Sequence, residues 1–234
     1  MQRLLRFTRQ TVLLKLVEST IPALHRGGLQ SLSPPRAGTP RASTMSKDKK
    51  DEKDSMGKLE ELFLKSRTIM LYGEINQKVA REFCTKLQLL ASESDDDITV
   101  YINSPGGHVE SGDSIHDMIR FVKPRVKVVG TGWVASAGAL IYAAPPVADR
   151  YSLPNTRYML HQPSGGVGGQ ASDISIEAEQ IIQMRERLNK IFAEQTGQPI
   201  KTIAKDTDRN FWMTPEEARE YGLVGKIIQS NDEL

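Results

Sequence analysis

GTGWVASAGALIYAAP, residues 130–145, sets one serine, Ser136, among small residues, with Trp133 as its bulky neighbour. A short β-rich run, VKVVG, precedes it, and an apolar run that ends near Pro145 reads as a helix. A serine between a strand and a helix has two uses. It can cap the helix, its oxygen accepting an N–H of the first turn. It can also stand exposed as a nucleophile at the carboxyl end of the strand, where α/β folds gather their sites. Spacing alone leaves both open, because VASAG lacks the first glycine of G-x-S-x-G.

The flanking sequence places this junction in an alternating chain. RTIMLYGEI reads as a strand ending at Gly73. QKVAREFCTKLQLLASES carries Val79, Phe83, Leu87 and Leu90 at helical spacing. DITVYIN is a strand broken by SPGG, and a helix then runs to about Val122, stopped by Pro124. RYMLHQ is a further strand with His161 near its carboxyl end. This alternation predicts one α/β domain. Asn103, Ser136 and His161 all fall close to strand ends.

The longest helix signal is GQASDISIEAEQIIQMRERLNKIFAEQTGQP. Ser172 or Asp173 is positioned to cap its start, Gly197 to end it, and Pro199 to follow. Ile174, Ala178, Ile181, Leu188 and Phe192 form its apolar stripe, widened by Ile176, Ile182 and Ile191. A stripe that broad suits either a core helix or a contact between copies.

Composition narrows the function classes. The chain has 234 residues, 38% hydrophobic and 26% charged, with a single cysteine, Cys84. One cysteine excludes an internal disulfide framework and a cysteine-rich metal site. No apolar run reaches the length of a membrane span. Charge is uneven. Residues 1–44 hold seven basic groups (Arg3, Arg6, Arg9, Lys15, Arg26, Arg36, Arg41) and one acid, Glu18. The remainder holds 24 basic and 28 acidic groups, a net −4, which does not suit nucleic acid. The opening MQRLLRFTRQTVLLKLV is amphipathic and Arg-rich, and GGLQSLSPPRAGTPRAST follows it. Residues 1–44 therefore read as an organellar transit peptide, mitochondrial (matrix) before plastid. Residues 45–57 read as a charged linker, 58–230 as the folded domain and 231–234 as a short tail. Met45 offers an internal start.

A serine hydroxyl needs a base to take its proton and donors to hold an oxyanion. His161 is the best-placed base: His25 lies in the transit segment, and His108 and His116 lie in or beside the helix after SPGG. Gly106 and Gly107 offer bare backbone close to a ligand.

Three motifs in order, YINSPGGHVESGDSIHDMIRFVKP, GWVASAGALIYAA and LPNTRYMLHQPSGGVGGQASDISIEAEQI, resemble the ClpP family, the proteolytic subunit of the Clp protease, from about Lys58 to Ile228. The resemblance implies a crotonase-like α/β fold of repeated strand–strand–helix units with a long protruding handle helix. It implies two stacked seven-membered rings of this or related subunits. An AAA+ unfoldase would use the ATP and feed in unfolded polypeptide, so this chain itself would need no cofactor and no metal. By the same resemblance Ser136 is the nucleophile, His161 the general base, and the N–H groups of Gly107 and Ala137 the oxyanion hole. The segment with Gly165, Gly166, Gly168 and Gly169 would pair with substrate backbone as an added strand. A crotonase-type acyl-CoA enzyme shares the fold, but such enzymes usually work with carboxylates.

Two departures stand out. The family's third triad residue is an aspartate, and that position here is Asn210. An amide can orient a neutral histidine but cannot stabilise the imidazolium by charge. Asp206 and Asp208 are close in sequence and read as helix-end or turn acids. Asp208 and Arg209 also match a charged pair that contacts the opposite ring in the family. The second departure is KDKKDEKDSMG, charged where the family usually has an apolar, pore-lining hairpin.

Overall fold

The computed structural model describes residues 57–234 except residue 167. The transit segment and all but the last residue of the linker lie outside the described residues. Gly57 itself already belongs to the first helix, α1, over 57–65.

The predicted alternation is present. Strand β1 (Thr68–Tyr72) leads to helix α2 (Gln77–Glu93), β2 (Ile98–Ser104), α3 (Val109–Phe121) and β3 (Val126–Ala135). Asn76 caps α2 by accepting the Val79 N–H, and Ala80, Phe83, Leu87 and Leu90 form its buried face. In β2 the alternation is strict: Ile98, Val100, Ile102 and Ser104 are buried, while Thr99, Tyr101 and Asn103 are half-buried. Such period-two patterning fixes which face of a sheet meets the helices. The chain continues through α4 (Ala137–Tyr142), β4 (Arg150–Ser152), β5 (Arg157–Leu160), α5 (Ala171–Thr196), α6 (Ile200–Asp206), β6 (Phe211–Met213), α7 (Pro215–Glu220) and β7 (Lys226–Ile227).

One seven-stranded sheet carries all of this, in the order β1-β2-β3-β4-β7. Every pairing is parallel except β5 with β6. The third strand is longer than VKVVG suggests and runs directly into Ser136. Its length lets it serve two neighbours on one edge. Val128, Val129 and Gly130 pair with β4, and Trp133, Val134 and Ala135 pair with β5. Its register with β2 shifts between Ile102 and Ser104, which face Gly130 and Val134. The apolar run after Ser136 is helical and ends near Pro145 as read: α4 stops at Tyr142, with Ala143 as its cap.

The main core lies between the sheet and α2, α3 and α4, and Leu188 and Phe192 at the far end of α5 join it. A smaller cluster of Val129, Tyr151 and Ile228 sits apart from it. Helix α5 begins before Ser172 and Asp173, with Gln170 in the cap position and no side-chain cap bond, so neither expected residue caps it. Gly197 ends it in the left-handed conformation (φ 75°), as its position in the sequence predicts. Its stripe is split. Leu188 and Phe192 are buried, whereas Ile174, Ile176 and Ile182 are exposed. Among the described residues, the first half of the helix therefore protrudes without a partner.

Arg150 ties the base of that helix to the sheet. Its side chain is fully buried. The guanidinium donates to the Pro145 carbonyl (2.7 Å) and the Gln195 carbonyl (2.8 Å), and also to the Gln195 side chain. Burial lowers its pKa to about 10, still far above neutrality. A planar fork of donors meets several carbonyls at once, which an ammonium cannot do. Arg150→Lys is expected to leave at least one buried carbonyl unpaired, at a cost of about 2–3 kcal/mol. The melting temperature should fall by roughly 5–10 °C, read by differential scanning calorimetry.

Candidate active site

Ser136 follows the last residue of β3 and precedes the first of α4. Its backbone adopts φ 55° and ψ −123°, a conformation rare for a residue with a side chain. Its N–H donates to the Met159 carbonyl on β5 at 2.9 Å. The side chain makes no capping bond to α4. Instead Oγ lies 2.8 Å from Nε2 of His161. Ser136 thus occupies the cap position of α4 without capping it through its side chain. In the tautomer protonated on Nδ1, Nε2 accepts the serine proton, which is the contact a general base requires.

His161 follows the last residue of β5. Desolvation by its half-buried setting lowers its pKa below the ordinary value near 6.5. The other described histidines do other work. His108 caps α3 by accepting the Ser111 N–H, and His116 is buried on α3 beside Asp117 (3.0 Å). Burial pushes the Cys84 thiol upward, away from thiolate chemistry.

The SPGG loop packs directly on the serine turn. Gly106 (φ 95°) has no room for a side chain: a Cβ there would lie 2.5 Å from Ser136 Cβ and 2.8 Å from the Ala135 carbonyl. At Gly107 (φ 145°) a Cβ would meet the Ile75 carbonyl at 2.2 Å. Both positions therefore demand glycine, for backbone conformation and for space. The loop is held by Gly106 N–H to Ser104 Oγ (3.1 Å), Ile75 N–H to the Gly106 carbonyl (2.8 Å) and His108 N–H to the Ile75 carbonyl (2.9 Å). Among the described residues, the N–H groups of Gly107 and Ala137 donate to no protein acceptor. Ala137 adjoins Ser136 in the chain, and Gly107 follows the glycine that packs on it.

The remaining sequence-derived residues fall as follows. The antiparallel register pairs Leu160 with Phe211, and continued by one residue it sets Asn210 opposite His161. Asn210 is exposed and, among the described residues, makes no hydrogen bond to the imidazole. Asp206 accepts the Tyr221 hydroxyl (2.9 Å), and Asp208 lies beside Arg185 (3.3 Å) and Gln162. Neither acid bonds to His161, in keeping with their reading as helix-end and turn residues. Gly165, Gly166, Gly168 and Gly169 are exposed and outside any strand. Among the described residues no cluster of three or more His, Cys, Asp or Glu side chains could hold a metal, and no helix is long and apolar enough to cross a membrane.

Sequence reasoning missed the antiparallel strand β6. Phe211, Trp212 and Met213 form only three residues of strand, too short for a periodic signal, yet they carry Asn210 to its place.

Comparison with known proteins places these features in context. The family model described as Clp protease matches residues 50–231. The ATP-dependent Clp protease proteolytic subunit 3 of Rhizobium etli is 60% identical over 188 residues, covering 80% of this chain and 97% of that protein. The proteolytic subunit 2 of Gluconobacter oxydans is 55% identical over 197 residues, covering 83% of this chain and 88% of that protein. The solved structure of ClpP1 from Listeria monocytogenes has a TM-score of 0.69 and 56% identity, covering 75% of this chain and 99% of its own.

The lowered pKa of His161 has a signed consequence. A base must be neutral to accept the serine proton, so activity falls as pH drops through its pKa. The acid-side midpoint of kcat/KM on a short fluorogenic peptide is expected below the ordinary 6.5.

Proposed function

This chain belongs to the Clp protease family, a family of serine peptidases, and from that premise we propose that it is a working serine endopeptidase subunit of an organellar Clp-type complex. The observation that carries the activity is the 2.8 Å contact between Ser136 Oγ and His161 Nε2, made by a serine whose backbone turns it away from its helix. In this reading Ser136 Oγ attacks the peptide carbonyl carbon while His161 takes its proton. The Gly107 and Ala137 N–H groups hold the carbonyl oxygen as charge develops on it. His161 then returns the proton to the leaving amine, the acyl-enzyme remains, and water attacks by the same route in reverse. The exposed glycine segment with Gly165, Gly166, Gly168 and Gly169 offers unpaired backbone to an extended substrate.

Asn210 is the weak member. Its position opposite His161 suits an orienting amide, but it brings no charge to the imidazolium. In the best-studied serine protease triad, aspartate to asparagine lowers kcat about 10⁴-fold. The active chain is therefore proposed to run slowly until the third residue is engaged. A second reading, a non-catalytic subunit of mixed rings, draws on the missing bond between Asn210 and His161.

Assembly follows the same line. The exposed isoleucines Ile174, Ile176 and Ile182 on α5 suit burial against a second copy, as stacked seven-membered rings provide. The energy-using partner is a separate AAA+ Clp unfoldase that delivers unfolded polypeptide, and ATP belongs to it. Mitochondrial placement is supported by the Arg-rich, acid-poor composition of residues 1–44 and by the start of the family match at residue 50.

Two experiments test this. On a fluorogenic peptide with assembled protein, Ser136→Ala is expected to abolish turnover and fluorophosphonate labelling, a loss on the order of 10⁴-fold or more. Asn210→Asp is expected to raise kcat by about tenfold or more. Silence from both the wild type and Asn210→Asp, with rings intact by light scattering, would favour the non-catalytic subunit. Fusing residues 1–44 to a fluorescent protein is expected to direct it to mitochondria. A diffuse or plastid signal would overturn that placement.

A further inference from the structure

His161 stands at the edge of an unfastened stretch. It follows the last residue of β5, and no hydrogen bond joins the described residues of 163–169 to other described residues. The residue between them, Gln162, is by contrast pinned three times. Its N–H donates to the Thr207 carbonyl at 2.6 Å. Its side-chain amide donates to the Asp208 carbonyl at 2.8 Å and to Asp208 Oδ1 at 3.3 Å.

The turn that receives these bonds is itself anchored on α5. Thr207 is buried, and its hydroxyl, with one proton to give, lies 2.8 Å from the Ile203 carbonyl of its own helix and 3.0 Å from Asn189 Oδ1. Asn189 is buried as well. Arg185, one turn earlier on α5, places its guanidinium 3.3 Å from Asp208 Oδ1. Residues four apart share a helix face, so Arg185 and Asn189 grip the turn together. The Arg185 pair is half-exposed and weak alone. The buried packing of Thr207 against Asn189, at hydrogen-bond distance, is the firmer point.

We propose that Gln162 is a positioning residue for His161, clamped to the Thr207–Asp208 turn and through it to Arg185 and Asn189 of α5. This rests on the reading of His161 as the general base. Asn210 makes no bond to the imidazole, so the ring's placement falls to the strand end that carries it. The clamp fixes the residue that follows His161 to the body of the fold. It also makes the base sensitive to how α5 sits, because the acceptors of Gln162 are carried by a turn that α5 holds. A misplacement of about 1 Å in a reacting group can cost on the order of a hundredfold in rate.

Gln162→Met keeps the length of the side chain and removes its donor without changing charge. In the assembled protein it is expected to lower kcat by about ten- to a hundredfold with KM within about twofold. The acid-side midpoint should rise towards the ordinary histidine value, because a loosened ring gains water. Arg185→Gln should show the same signs with a smaller effect. The rate at which diethyl pyrocarbonate modifies His161, followed by mass spectrometry across pH, needs neither turnover nor intact rings. It should rise in Gln162→Met. Wild-type kcat, midpoint and modification rate in Gln162→Met would overturn the proposal. A wild type without turnover, in which Gln162→Met still speeds modification of His161, would sink the proposed activity and leave the clamp standing.

Discussion

The hydrogen bond from the Ser136 N–H to the Met159 carbonyl is the contact on which the site depends. It extends the parallel ladder of β3 and β5 one residue beyond the strand, onto a residue whose backbone no longer follows it. That single bond fixes two things at once. It sets Ser136 beside the strand that His161 follows, and it holds the sharp turn that leaves the serine oxygen free of its helix. The SPGG loop then closes on the turn from the other side, so closely that no side chain fits at Gly106. The proposed nucleophile, the proposed base and the N–H groups of Gly107 and Ala137 thus come from three segments that meet at the carboxyl ends of neighbouring parallel strands, where α/β sheets build their sites.

The same sheet explains why one strand must be long. A strand that pairs with β4 through its first half and with β5 through its second serves both the small outer cluster around Val129 and the reactive turn. The irregular register with β2 falls between these halves, where the strand changes partner. A structural cluster and a reactive turn can then share one strand while facing different surroundings.

The elements with strong periodicity were legible: α2 from its four-residue apolar spacing, β2 from strict alternation, and the end of α5 from Gly197. The short ones were not. β4, β6 and β7 have two or three residues each, and their pairing comes from tertiary neighbours rather than from any local pattern. Ser136 and His161 were legible as candidates because each follows a strand and bears chemistry. Their roles came from the resemblance, and the distance between them required three dimensions. Gln162 offered no signal at all, since a glutamine after a histidine means nothing until a distant turn presents its carbonyls. Asn210 was found by motif alignment, and only the β5–β6 register shows that it falls opposite His161.

Ser136 also separates what folding wants from what chemistry needs. A residue with a side chain held at φ 55° costs the folded state on the order of 1–3 kcal/mol. Glycine would relieve that strain, at the expense of a more disordered unfolded chain. A search for thermostable variants would therefore be drawn to this position and would reward an exchange that removes the hydroxyl. Such a variant would be a firmer protein with its proposed nucleophile gone, which is the conflict between stability and activity reduced to one residue.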